Sequence, residues 1–136
     1  MLDMVKAVIK RPDGADISLV ARDGHSCYID TNEVTAMASF LGNLGKIERN
    51  GKGWLKISNP KPKNIPPKFR RDYIIDMERV VRILGPEAKI SSEVANEAGI
   101  DEKLTKDYLL FLETLTKEGY IYQDLNKRKL KFEPWT

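Results

Sequence analysis

Ile90-Ser-Ser-Glu-Val-Ala-Asn-Glu-Ala-Gly-Ile-Asp101 runs directly into Glu102-Lys-Leu-Thr-Lys-Asp-Tyr-Leu-Leu-Phe-Leu-Glu-Thr-Leu115 and then Thr116-Lys-Glu-Gly-Tyr-Ile121. Ser91 or Ser92 is placed to cap a short helix carrying Val94, Ala95 and Ala98, and Gly99 closes it. Asp101 caps the next helix, where Leu104, Tyr108, Phe111, Leu112 and Leu115 form one apolar stripe of 3.6-residue period. Gly119 is the expected stop.

Working outward, Tyr73, Ile74, Met77, Val80, Val81 and Leu84 give an earlier helix of the same period, ended by Gly85-Pro86. Downstream, Tyr120-Ile-Tyr122 and Lys129-Leu-Lys-Phe132 alternate around Asp124-Leu-Asn126 as a β-hairpin. Three helices with a tight Gly-containing turn between the last two, followed by a hairpin, is a helix-turn-helix pattern with a wing. Residues 72–133 thus resemble the winged helix superfamily on the stretch Ile90 to Ile121, with Leu115 to Ile121 similar to its exit into the wing.

The resemblance implies a third helix directed at the major groove and a wing against the phosphate backbone. On this chain it points to Lys103, Thr105 and Lys106 near the groove and Lys127, Arg128, Lys129 and Lys131 on the wing. Four cations on one hairpin suit phosphate, whose neutralisation gives nucleic-acid binding its salt dependence. The helix face lacks Arg, Asn and Gln, the side chains that make bidentate contacts to purine edges, and carries Glu102 and Asp107 instead. Leu109 and Leu110 on it offer an alternative, a protein-docking or dimerising surface.

Before residue 60 the chain reads as mixed. Met4–Lys10 and Ile17–Ala21 are β-rich runs separated by Pro12-Asp13-Gly14, and Cys27-Tyr28-Ile29 is a further short run. Val34, Met37, Ala38 and Leu41 are spaced as a helix capped by Thr31 or Asn32. A second hairpin, 46–49 with 54–57, turns around Asn50-Gly51. These runs predict a small sheet of about five strands with one helix on a face. The fold class expected is therefore α+β. A small sheet-plus-helix domain (1–59) precedes a linker (60–71) and a three-helix winged helix with its hairpin wing (72–133).

The linker holds four of the chain's seven prolines, five cations and no acid, so it reads as an extended basic spacer whose Lys68, Arg70 and Arg71 could extend a phosphate footprint. No internal repeat shows at periods of about 20–50 residues.

Composition excludes several classes. The 136 residues carry 23 Lys+Arg against 20 Asp+Glu, with 41% hydrophobic residues. No apolar run approaches the roughly 18 residues of a membrane span, and the start lacks a signal-peptide pattern. One cysteine, Cys27, rules out an intrachain disulfide and suits a reducing cytoplasm. His25 and Cys27 share a strand face near Asp23 and Asp30, but the chain has no further soft ligand to close a tetrahedral zinc site. A Cys/His dyad would need an orienting group and an oxyanion hole, and neither is marked. No phosphate-cradling glycine loop is present. No catalytic residue, metal or cofactor is expected.

The leading expectation is a cytoplasmic, non-enzymatic nucleic-acid-binding protein, for DNA above all, acting in regulation of transcription or as a replication or repair accessory. Alternatives are a winged helix used for protein interaction or homodimerisation, or single-strand binding by the N-terminal sheet with Trp54 as the stacking residue among Arg49, Lys52 and Lys56. Trp54 as a core residue is the competing expectation.

Overall fold

The structure, a computed structural model, describes residues 1–23, 31–57, 71–124 and 129–135. In chain order the described elements are α1 (Leu2–Ile9), β1 (Ala15–Asp16), α2 (Ile17–Asp23), α3 (Thr31–Gly42), β2 (Ile47–Asn50), β3 (Gly53–Lys56), α4 (Asp72–Ile83), β4 (Lys89–Ile90), α5 (Ser91–Ala98), α6 (Glu102–Leu115), β5 (Gly119–Asp124) and β6 (Lys129–Pro134). The protein is mixed α and β, with six helices and two three-stranded antiparallel sheets among the described residues.

Two runs expected to be strands are helices. In α1, Met4, Val5 and Val8 are buried, the i, i+1, i+4 spacing of a helix face. In α2, the Asp16 carboxylate accepts from the backbone N–H of Ser18 at 2.9 Å and from its hydroxyl at 2.6 Å. That is an N-cap, and it starts a helix whose Val20 and Ala21 are buried. Cap and packing override the β preference of the Val and Ile residues. The five-stranded N-terminal sheet is therefore replaced by three helices, the two-residue β1 and the β2–β3 hairpin. The run at Cys27 lies outside the described residues.

The chain forms two compact units that are not continuous in sequence, residues 1–43, 60–71 and 118–136 in one and residues 44–59 and 72–117 in the other. The expected division into 1–59, 60–71 and 72–133 does not coincide with them. The physical reason is strand pairing. β1 pairs with β6 (Ala15 with Leu130, Asp16 with Lys129), which draws the C-terminal hairpin into the first unit in the order β1-β6-β5. β4 pairs with β3 (Lys89 with Trp54, Ile90 with Gly53), which draws the earlier hairpin into the second in the order β2-β3-β4.

In the first unit, α3 packs on β5 and α1 on β6. Met4, Val8, Ala15, Val34, Ala38, Ile121 and Leu130 are buried there. In the second unit, Asp101 caps α6 by accepting from the Leu104 N–H at 3.2 Å, and Gly99 ends α5 with φ +69°. Ile74, Met77, Val80, Val94, Leu109, Leu112 and Leu115 are buried, with Ile47 and Trp54 of the hairpin. Helix α6 ends at Leu115, so Gly119 opens β5 rather than stopping the helix.

The element order occurs twice: helix, two-residue strand, helix, helix, hairpin describes α1 to β3 and again α4 to β6. Val20-Ala21 of α2 and Val94-Ala95 of α5 occupy equivalent places, and all four are buried. Each short strand pairs with the second strand of the other half's hairpin, in matching register.

Candidate nucleic-acid interface

In β5 and β6, alternation separates an inner face from an outer one. Ile121, Gln123 and Leu130 are buried on the inner face. Tyr120, Tyr122, Lys129, Lys131 and Glu133 occupy the outer face, since cross-strand partners share a side: Tyr120 opposes Glu133 and Tyr122 opposes Lys131. Asp16 of β1 opposes Lys129 and brings one acid to the same face.

The turn between α1 and β1 leads into the strand beside β6, next to two lysines of this face. Gly14 has φ +107°, and a Cβ there would lie 3.2 Å from Cδ of Lys129 and 3.6 Å from Cε of Lys131. The Gly14 N–H donates to the carbonyl of Arg11 at 2.9 Å, closing the turn that carries Lys10 and Arg11, both exposed. Glycine suits the left-handed backbone, and a Cβ there would be tight against the Lys129 stem but at ordinary contact distance from Lys131. The Lys129 and Lys131 stems thus lie beside the turn that Lys10 and Arg11 lead into. By sequence the first unit holds 13 basic and 9 acidic residues, the second 10 and 11.

Three aromatic rings cluster on the same hairpin. Tyr120 lies 5.2 Å from Trp135 and 6.0 Å from Tyr122, centroid to centroid and tilted by 36° and 40°. The Tyr120 hydroxyl donates to Glu133 at 2.5 Å. Burial, then the hydrogen bond and negative charge of Glu133, push this phenol up to about 12.

The residues expected to form one groove-and-wing surface fall into different units. Lys129 and Lys131 belong to the first, whereas Lys103 and Lys106 are exposed on α6 of the second, beside exposed Glu102 and Asp107. Thr105 is corrected outright: it is fully buried, and its hydroxyl donates to the Asp101 carbonyl at 2.9 Å. Leu109 is likewise core, at 0% exposure, while Leu110 is on the surface. Arg71 pairs with Glu33 at 3.7 Å. Lys68, Arg70, Lys127, Arg128, His25 and Cys27 lie outside the described residues.

Trp54 is 4% exposed, with the Arg49 guanidinium 5.2 Å from its ring centroid, so it packs the hairpin and presents no face to a base. Next to it, a cleft of about 400 Å³ lies between β2 and the end of α6, lined by Lys46, Glu48, Arg49, Glu113, Thr114 and Lys117. Arg49 pairs with Glu113 across it at 3.0 Å, and Lys46 pairs with Glu48 on the β2 side at 3.2 Å.

No protein-family model, curated protein or solved structure matches the chain. Among the described residues no group of His, Cys, Asp or Glu is placed to hold a metal, and no helix is long and apolar enough to cross a membrane. Sequence reasoning found the hairpin, its Lys129 and Lys131 and the Pro12-Asp13-Gly14 turn, but missed the tyrosines that share the lysines' face and the approach of that turn to β6. The signals were the alternations Tyr120-x-Tyr122 and Lys129-x-Lys131, and a Gly14 that needed a structural partner to be interpreted.

Proposed function

We propose that the chain is a non-enzymatic nucleic-acid-binding protein made of two winged-helix units, and that the hairpin β5–β6 is its phosphate-binding wing. The order helix, strand, helix, helix, hairpin, with the short strand beside the second hairpin strand, supports the winged-helix reading of both units. The observation that carries the functional reading is that Lys129 and Lys131 lie beside Gly14, in the turn that exposed Lys10 and Arg11 lead into. Cations close together act jointly on a phosphate chain. Helix α3 holds one Glu and no Lys or Arg, so the first unit's third helix adds no cation to a phosphate footprint. The reading is of backbone binding by the hairpin cations.

Fluorescence anisotropy with labelled duplex and single strands at two salt concentrations tests it. Binding should weaken steeply with salt. Replacing Lys10, Arg11, Lys129 and Lys131 by Ala should lower the slope of log K against log salt by about 2–3 for single strands. Absence of binding at low salt to every nucleic acid would overturn the proposal.

A second reading, protein docking by the second unit, is favoured by Leu104 and Leu110, 39% and 36% exposed on α6. Replacing both by Ser would abolish such docking and leave salt-sensitive nucleic-acid binding unchanged.

A further inference from the structure

We infer that the outer face of β5–β6 takes single-stranded nucleic acid, with unpaired bases stacked on Tyr122 and Trp135 and the phosphates held by Lys129 and Lys131. This inference rests on the nucleic-acid reading above and specifies its ligand.

Single-strand binders combine a cationic track with aromatic faces on which successive bases stack. Both components occupy one sheet face here. Tyr122 stands directly opposite Lys131, so a tyrosine and a lysine share one face of the ladder. Tyr120 lies between Tyr122 and Trp135 at 6.0 and 5.2 Å, and its hydroxyl is fixed on Glu133. It acts as the positioning residue for two rings that are half-buried. The tilts of 36–40° keep the rings from closing on one another as a sandwich.

Duplex is the poorer ligand on physical grounds. Its bases are already stacked, so the rings could be used only after paying for unstacking. The acids on the face, Asp16 opposite Lys129 and Glu133 opposite Tyr120, reduce the purely electrostatic attraction on which duplex binding would depend. Stacking is insensitive to base identity, because every base has a π-face. The surface therefore suits unpaired DNA or RNA of any sequence.

The test uses the full chain with fluorescein-labelled dT12, rU12 and a 12-base-pair duplex at low and physiological salt. Expected are tighter binding to both single strands than to duplex, and tryptophan quenching on binding. In a Trp135→Phe background the quenching should vanish, because Trp54 is buried. Tyr122→Ala and Trp135→Ala should each weaken single-strand binding about 5- to 100-fold and leave duplex binding unchanged. Tyr122→Phe and Trp135→Phe keep a ring and should retain affinity, which separates lost stacking from lost folding. Tighter binding to one of dT12 and rU12 would identify the sugar preferred. Salt-sensitive binding that is equal for duplex and single strands, and indifferent to both Ala variants, overturns this inference while leaving the nucleic-acid reading intact. Absence of binding to all three probes overturns both.

Discussion

The Thr116 hydroxyl accepts from the backbone N–H of Ile47 at 3.0 Å and donates to the carbonyl of Leu112 at 2.8 Å, joining the start of β2 to the end of α6 across 69 residues of sequence. Both residues are buried, so this single oxygen satisfies a donor that water cannot reach. Thr116→Val keeps the shape and removes the acceptor. It should destabilise the protein by about 1–3 kcal/mol, the cost of an unsatisfied buried group. Thr116→Ser keeps the oxygen and should cost less. Urea unfolding of the two variants checks the order, and equal losses would show that packing rather than the hydrogen bond matters.

Tyr120 gives the protein an alkaline limit. Its folded value of about 12 lies above the ordinary value of 10.0, first through burial and then through Glu133. A raised value means that the folded state keeps the proton after the unfolded chain has released it. The stabilisation is complete below pH 10 and is lost as pH rises from about 10 to about 12. Tyr120→Phe has no proton to lose. The native protein should therefore lose stability more steeply than Tyr120→Phe over that window, by about 1–2 kcal/mol after allowance for partial exposure. Thermal unfolding at pH 9 and pH 11 measures the difference, and parallel curves would show that the phenol is not held by Glu133.

Gly14 couples backbone strain to the charged surface. An Ala there would hold φ +107°, which L-residues avoid, and would press on the stem of Lys129. Gly14→Ala should cost about 1–3 kcal/mol, the usual range for a strained backbone position. It should also weaken nucleic-acid binding at low salt, since the turn carrying Lys10 and Arg11 would shift away from β6. Stability loss without change in binding would mean that these cations act independently of the turn.

The helices of 72–115 were legible because each keeps one apolar stripe and an explicit terminator, such as the Asp101 cap of α6. Helix α3 was legible in the same way, through Val34, Met37, Ala38 and Leu41, but α1 and α2 were not. Met4 to Ile9 satisfies both a helix spacing and a β-rich composition, and the spacing that decides it is only two turns long. The Asp16–Ser18 cap was readable in principle, but the Val and Ile residues after it outweighed a two-residue signal. Thr105 shows the converse: a polar residue assigned to the surface by type is turned inward, where the Asp101 carbonyl satisfies its hydroxyl. The partner of the C-terminal hairpin was beyond sequence reasoning altogether. β1 has two residues and no pattern of its own, so its pairing with β6 emerges only when the helices around it are in place.

That pairing leads to the sharpest structural prediction. If hairpins served the helices preceding them in the chain, β6 would pair with β4, and by the matching register Lys129 would face Ile90. Instead Lys129 faces Asp16, and Ile90 faces Gly53. Directly opposed residues on antiparallel strands bring their Cβ atoms to about 4.5–5.5 Å, which small adjustments close to disulfide range. In a Cys27→Ser background, Asp16→Cys with Lys129→Cys should oxidise to an intrachain disulfide. A link closing a loop of about 100 residues can stabilise by up to about 4 kcal/mol, less about 1 kcal/mol for the lost Asp16 cap. Ile90→Cys with Lys129→Cys should keep both thiols free, because each position already has a different strand partner. Thiol counting and mobility on a non-reducing gel distinguish the pairs. A disulfide between 90 and 129 would return the hairpin to the helices before it, and a disulfide between two chains would place the exchange between copies.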